Sequence, residues 1–228
     1  MILSIETSTE VCSVALHAEG KLLAYSELFI EKSHATALTI LIKNIFVNSR
    51  TEMKNLTGVA LSKGPGSYTG LRVGTSVAKG LCYALDIPLY AVDTLEAMAH
   101  GATQMLLDRK VLLCPMIDAR RMEVYTALLD TDLKSRLALQ ALVFDQSAEA
   151  LITSKLTAHE NFVVLFGSGA KKCKQASKSN QIVLLEHIYP SAKSIGDLFY
   201  LQNPASVEVA YFEPAYLNPF YTQATVHS

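Results

Sequence analysis

Two stretches of this chain can be laid on one another without a gap. Ile5-Glu6-Thr7-Ser8-Thr9-Glu10-Val11-Cys12-Ser13-Val14-Ala15-Leu16 and Ile117-Asp118-Ala119-Arg120-Arg121-Met122-Glu123-Val124-Tyr125-Thr126-Ala127-Leu128 share one pattern. Each is an apolar strand, a carboxylate, a polar turn and a second apolar strand closing on Ala-Leu. Ile117 lies 112 positions after Ile5, close to half of the 228 residues. A repeat of that length predicts two units of one topology. The expected division is an N-terminal unit at 1–108 and a reduced C-terminal unit at 109–228, with a tail at about 205–228. No low-complexity linker separates the halves, so they are expected to share an interface.

A glycine loop adds the next constraint. Val59 to Leu61 leads into Ser62-Lys63-Gly64-Pro65-Gly66-Ser67-Tyr68-Thr69-Gly70-Leu71-Arg72, and an apolar-periodic run leaves it. The pattern is strand, loop, helix. Gly64 and Gly66 permit backbone angles closed to other residues, Pro65 fixes one dihedral, and Ser67 or Thr69 can cap the helix. The amides at such a helix start can hold an anion; the same loop can equally be a tight turn against a neighbouring element. The spacing G-x-G-x-x-x-G matches neither G-x-G-x-x-G nor G-x-x-x-x-G-K-[ST]. In the second half, the apolar run at 162–166 enters Gly167-Ser168-Gly169, an echo of the same device.

Between these landmarks the pattern predicts strands at 2–6, 11–18 and 21–29, the last two joined by a hairpin at Glu19-Gly20. A helix follows from a Ser33 cap to about Asn48, with Leu38, Leu41, Ile42 and Ile45 in one stripe. Ile40, Phe46 and Val47 lie off it, so this helix is apolar on more than one side: it is buried, or shared with another chain. After a strand at 57–62, the helix from about Tyr68 to Leu85 carries two ridges. Gly70, Gly74, Ala78 and Cys82 form a small one; Val73, Val77, Leu81 and Leu85 form a large one. Small ridges allow close helix packing, either inside the domain or across an interface. Next come a strand at 89–92 and a helix from Asp93 to about Leu107, whose Glu96 suits a capping box. The second half predicts strands at 111–117, 123–128, 134–144, 162–166 and 182–186, and helices near 147–155 and 191–201.

Composition excludes some functions. Half the residues are apolar and the formal net charge is −1, so no bulk basic field draws nucleic acid. Cys12, Cys82, Cys114 and Cys173 lie far apart without a C-x-x-C pair, which fits buried reduced thiols in a cytoplasmic setting. No basic n-region precedes Ile2 and no apolar run reaches the length of a membrane span, so neither a signal peptide nor a membrane role is expected.

The candidate chemistry sits at strand ends. Glu6 and Asp118 close the first strand of each repeat, where an open sheet binds ligands. They can face each other across a cleft and hold a metal or a phosphate-bound magnesium ion, or each can cap its own turn. Thr7, Ser8, Gly64, Gly66, Ser67, Gly167 and Gly169 complete a possible anion or nucleotide cleft. The dipeptide Arg120-Arg121 can hold a carboxylate or phosphate, or sit solvated on its turn. No two histidines stand three to five residues apart, which leaves His34 without a helical metal partner.

Taken together, Ile5-Glu6-Thr7-Ser8, Ser33-His34, the loop Gly64 to Arg72, the hairpin Ile117 to Tyr125 and Glu213-Pro214-Ala215-Tyr216-Leu217 resemble the TsaB (YeaZ) family, a branch of the TsaD-like, formerly glycoprotease-like, proteins. The resemblance spans nearly the whole chain. It implies an α/β protein of the actin-like ATPase fold, two ribonuclease-H-like domains of mixed sheet flanked by helices around a cleft. It implies a part in making threonylcarbamoyladenosine in tRNA, as a non-catalytic subunit that binds and stabilises the transferase TsaD together with the ATPase TsaE. No catalytic residue, metal or required cofactor is then expected, although weak nucleotide or magnesium binding stays open. Contact with tRNA would be indirect, through the complex. TsaD-like proteins carry H-x-x-x-H on the first helix; here His34 is followed by Leu38. The family's partner interface maps onto Leu38, Leu41, Ile42, Ile45, Gly70, Val73, Gly74, Val77, Ala78 and Leu81, as a four-helix bundle with TsaD or a homodimer without it. The alternatives are a free-standing ATP-binding protein of the sugar-kinase and chaperone superfamily, using Glu6, Gly66, Asp118 and Gly169, and a metalloprotease using His34.

Overall fold

The computed structural model describes residues 1–30, 34–106 and 110–217. Its first unit runs β1 (Ile2–Glu6), β2 (Cys12–Ala18), β3 (Lys21–Leu28), α1 (His34–Ser49), a 3-10 turn at Met53–Asn55, β4 (Gly58–Ser62), α2 (Tyr68–Leu85), β5 (Leu89–Val92) and α3 (Thr94–Thr103). The second runs β6 (Leu112–Asp118), β7 (Glu123–Leu129), β8 (Ser135–Val143), α4 (Gln146–Thr153), β9 (Val163–Phe166), α5 (Ala170–Ala176) and β10 (Ile182–Leu184). The chain continues through α6 (Ala192–Gln202) and β11 (Ser206–Val207). The predicted Ser33 cap and the predicted end of the third helix at Leu107 fall outside the described residues; α3 stops at Thr103.

One topology is used twice. The sheets are ordered β11-β5-β4-β1-β2-β3 and β10-β9-β6-β7-β8. In each unit the first strand is antiparallel to the second and parallel to the fourth. The repeat read from the sequence is therefore a repeat of fold. The two central strands, β1 and β6, are paired on both sides, which is why they read as near-continuous apolar runs.

The helices stack in layers. α1 and α2 cover the outer face of the first sheet over a core that includes Leu3, Ile5, Val14, Leu16, Leu38, Ile42 and Leu61. α4 and α5 cover the outer face of the second, over Leu112, Cys114, Leu128 and Leu165. Between the sheets lie α3 and α6, and they are exchanged. α3, which follows the first sheet, packs on β6 and β7; α6, which follows the second, packs on β1 and β2. The division expected at 108/109 put residues 192–217 with the second unit. Here α6 lies on the first sheet and β11 pairs antiparallel with β5 at its edge. The reason lies in α6's docking. His17 Nε2 on β2 meets Asp197 Oδ1 at 3.1 Å, and Ser13 Oγ accepts a hydrogen bond from the Ala192 amide at 2.9 Å.

α2 is seated by its small ridge. A Cβ on Gly70 would overlap the Thr7 carbonyl oxygen, one on Gly66 the Ser8 carbonyl, and one on Gly74 the Thr7 side chain. Ser67 caps the helix, its Oγ accepting from the Gly70 amide at 3.3 Å, and Asp86 ends it in a left-handed conformation. The four cysteines are free and buried. Burial pushes the thiols of Cys12 and Cys82 up to about 11 and those of Cys114 and Cys173 to about 12, well into the unreactive range. Among the described residues no helix is long and apolar enough to cross a membrane.

Two glycines on α2 give opposite expectations. Gly70→Ala must displace backbone, at a cost near the upper end of the roughly 1–3 kcal/mol of overpacking. Gly80 has open space where its Cβ would stand, so Gly80→Ala should stabilise by up to about 1 kcal/mol. Chemical denaturation of the two variants beside wild type measures both.

Candidate functional site

A cleft of about 1690 Å3 opens between the units. Its first wall comes from the turn after β1 (Ser8, Thr9, Glu10), the start of α1 (His34, Ala35) and the glycine loop with the start of α2 (Gly66 to Gly70, Val73). Its second wall is the β6–β7 hairpin from Ile117 to Glu123, with Tyr125, Val143 and Ser168. Tyr216 and Leu217 close one end.

The two repeat carboxylates do not meet there. Glu6 is fully buried and is absent from the cleft wall. Its Oε1 accepts from the Ser8 amide at 2.6 Å and from Ser62 Oγ at 2.8 Å. It thus ties the β1–β2 turn to the end of β4, the strand that feeds the glycine loop. Burial pushes the Glu6 carboxyl above its ordinary 4.5, against the opposing pull of the Ser8 and Ser62 hydrogen bonds. Asp118 does reach the cleft, but its Oδ1 accepts from the Arg120 amide at 2.6 Å and from Lys172 Nζ at 2.8 Å. Of the two roles left open for this pair, each carboxylate holds its own turn. The same geometry removes Glu6 from the set that an ATP-binding site would need. Among the described residues no group of three or more His, Cys, Asp or Glu could hold a metal ion.

The other candidates divide similarly. Ser8, Gly66 and Ser67 line the cleft; Thr7, Gly64, Gly167 and Gly169 lie behind it. Thr7 packs under α2 and Gly64 against Ala215, while Gly167 and Gly169 pack on Met116 and Val124. The second glycine loop does open a helix, but α5 has only seven residues. Arg120 and Arg121 adopt positive φ angles of 76° and 46°. Consecutive left-handed residues of this kind are costly without glycine, and such strain collects at functional sites.

Two contributors went unseen in the sequence. Lys172, which also reaches the carbonyls of Arg121 and Glu123, carries no local signal. The tail is the other. Ala215 donates its amide to the Lys63 carbonyl at 2.7 Å, and the Tyr216 ring lies 4.8 Å from that of Tyr68. Arg72 stacks over the Tyr68 ring at 4.9 Å. The apolar residues recurring before and after Pro214, among them Val207, Val209, Phe212 and Tyr216, were the available sign.

α1 and α2 present a second feature, which adjoins the cleft at Val73. Leu38, Ile42, Ile45 and Ala78 of the expected interface set are buried in the domain's own core, and Gly70 and Gly74 are seated against Thr7. Leu41, Val73, Val77 and Leu81 are only half-buried. Ile40 and Val47 are 57% and 66% exposed, and Lys43 is the only Lys, Arg, Asp or Glu of α1. An open, nearly uncharged helix pair is unusual for a surface facing water.

Residues 29–160 match the model of the TsaD family, described as tRNA N6-adenosine threonylcarbamoyltransferase. The Escherichia coli tRNA threonylcarbamoyladenosine biosynthesis protein TsaB is 30% identical, over 95% of this chain and 94% of its own. The Bacillus subtilis protein of the same name is 35% identical over 56% of this chain and 54% of its own. The structure of YeaZ from Pseudomonas aeruginosa superposes with a TM-score of 0.77 at 25% identity, covering 95% of this chain and 99% of that one. The fold alone is shared with the ethanolamine utilization protein EutJ from Carboxydothermus hydrogenoformans, at a TM-score of 0.51, 11% identity and 86% and 88% coverage. These neighbours bear out the actin-like ATPase fold.

Glu6 carries a testable pH signature. Its folded-state value is raised, so the folded protein binds the proton more tightly than the unfolded chain, and this residue's contribution to stability falls as pH rises from 4.5 towards the folded value. Glu6→Gln keeps an acceptor for Ser8 and Ser62 and cannot ionise. Relative to wild type it should gain stability as pH rises through and above 4.5 in urea denaturation. A pH-independent difference would contradict the burial argument.

Proposed function

The chain belongs to the TsaB family, and from that premise we propose that it serves tRNA threonylcarbamoyladenosine biosynthesis as a non-catalytic subunit that binds and stabilises TsaD, with TsaE completing the assembly. The observation that carries this reading is the open face of α1 and α2. Leu41, Val73, Val77 and Leu81 form an apolar strip flanked by Ile40 and Val47. Depletion of charge around such a strip is the compositional mark of an interface core. In an assembly the strip would meet a matching helix pair of TsaD and close a four-helix bundle. The family is chosen over a catalytic relative by position 38. TsaD-like proteins place the second histidine of H-x-x-x-H there; this chain has Leu38, fully buried in the core. In this reading tRNA reaches the subunit only through TsaD, and no membrane takes part.

Copurification decides the matter. Ile40→Asp puts a charge beside the strip at an exposed position and leaves the core intact; Val77→Asp puts one on the strip where it meets the edge of the core. Each should weaken capture of TsaD on the order of a hundredfold, about 3 kcal/mol for an unpaired charge at a desolvated contact. The melting midpoint of Ile40→Asp should move by no more than a few degrees, so its loss of capture reports the contact and not the fold. Gly74 is unsuitable for the purpose, since its place is the core. Undiminished capture of TsaD by both variants would overturn the proposal.

A further inference from the structure

The first sheet ends on an open strand. β3 is last in its order, and among the described residues no strand pairs with its outer edge. The free amides and carbonyls of such an edge are a template for another strand. The side chains beside it are apolar. Leu23, Tyr25, Phe29 and Ile30 are 48%, 55%, 58% and 57% exposed. Tyr189 is half-buried, and its ring meets that of Phe29 edge-on at 5.4 Å.

The topology explains why this patch is bare. Tyr25 lies opposite Ala15 and Glu27 opposite Ser13, in the row of β2 that carries His17 and faces α6. α6 sits mainly over β1 and β2, which leaves the edge strand's side of that layer open. The patch is therefore on the inner side of the sheet, away from the α1–α2 strip on the outer face. Edge strands are normally blunted by charges, prolines or bulges. Here those safeguards cover only the start of β3, with Lys21 and a bulge at Leu23 between the rungs of Leu16 and His17. From Ala24 to Leu28 the ladder is regular and holds no proline. Its one charge, Glu27, accepts a hydrogen bond from Ser191 Oγ.

We propose that a second copy of this chain pairs along that edge, β3 to β3 and antiparallel, about a two-fold axis at Ser26. The strand is self-complementary in that register. Ala24 stands opposite Leu28, and Tyr25 opposite Glu27, to which its phenol can donate. Leu23 is carried towards Phe29 at each end. Moving the axis to Tyr25 sets Leu23 against Glu27, and moving it to Glu27 sets two carboxylates face to face. The extent fits as well. The five side chains present on the order of 500 Å2 of apolar surface, and the strand backbone adds to it; a stable interface buries about 800 Å2 per partner. The two-fold makes every contact twice. α1 and α2 stay free, so this interface holds or fails independently of docking to TsaD.

The test is sedimentation equilibrium of the full chain, without TsaD, at about 100 μM, above the micromolar limit of interfaces this size. A dimer is expected. Tyr25→Lys and Phe29→Lys, exposed changes checked by their melting curves, should each weaken it at least about tenfold. Val77→Asp should dimerise like wild type. Disulfide formation reads the register. The four native cysteines are buried, so Ser26→Cys should cross-link the dimer on mild oxidation. Gln175→Cys, exposed on α5, should not. A chain that stays monomeric, leaving the edge to a strand of some other protein, overturns the inference. So does a dimer that Val77→Asp dissolves and both lysine variants leave intact, or one in which Ser26→Cys cross-links no better than Gln175→Cys.

Discussion

The contact on which the rest of this structure depends is the approach of α2 to the turn after β1. Backbone meets backbone there, because Gly66 and Gly70 carry no Cβ to hold the Ser8 and Thr7 carbonyls away. The Ser67 amide donates to the Ser8 carbonyl at 2.6 Å in the same place. Glu6 reinforces the junction from inside by joining Ser8 to Ser62. One junction thus sets two surfaces: the cleft wall at the start of α2, and the direction in which Val73, Val77 and Leu81 face. Neither surface could be moved without the other.

The exchange of α3 and α6 explains why the chain needs no linker between its halves. Each helix leaves one sheet and buries its apolar side on the other, so the interior layer belongs to both units. α6 is held by polar as well as apolar contacts: the His17 and Asp197 pair, the Ser13 cap, and a hydrogen bond from Ser191 Oγ to Glu27. Buried polar contacts of this kind fix register rather than add much net stability. They also place β11 and the tail on the first sheet, from which Tyr216 reaches Tyr68 and the cleft.

The duplicated topology was legible because strand, carboxylate and turn recur in the same order, and because buried central strands read as apolar runs. The caps Ser67 and Asp93 were legible for a similar reason: capping is local chemistry. What a periodic pattern does not carry is direction towards a distant element. The stripe Leu38, Ile42, Ile45 and the ridge Gly70, Gly74, Ala78 were equally compatible with a core or an interface, and they belong to the core. The residues set off from those stripes, Ile40, Val47, Val77 and Leu81, carry the open face instead. Glu6 and Asp118 occupy equivalent strand ends, yet one is buried and one faces the cleft. Their neighbours differ: Glu6 has Ser62 beside it, and Asp118 has Lys172 on a helix more than fifty residues away in sequence.

The central claim is that the outer face of α1 and α2 is built to be covered by another protein. Amide hydrogen exchange of this chain with and without TsaD examines it most directly. The account predicts slowed exchange in residues 34–49 and 68–85 on addition of TsaD, with the second sheet unchanged. Binding of TsaD that leaves both helices at their free rates, and protects the β6–β7 hairpin or the outer helices α4 and α5 instead, would contradict it.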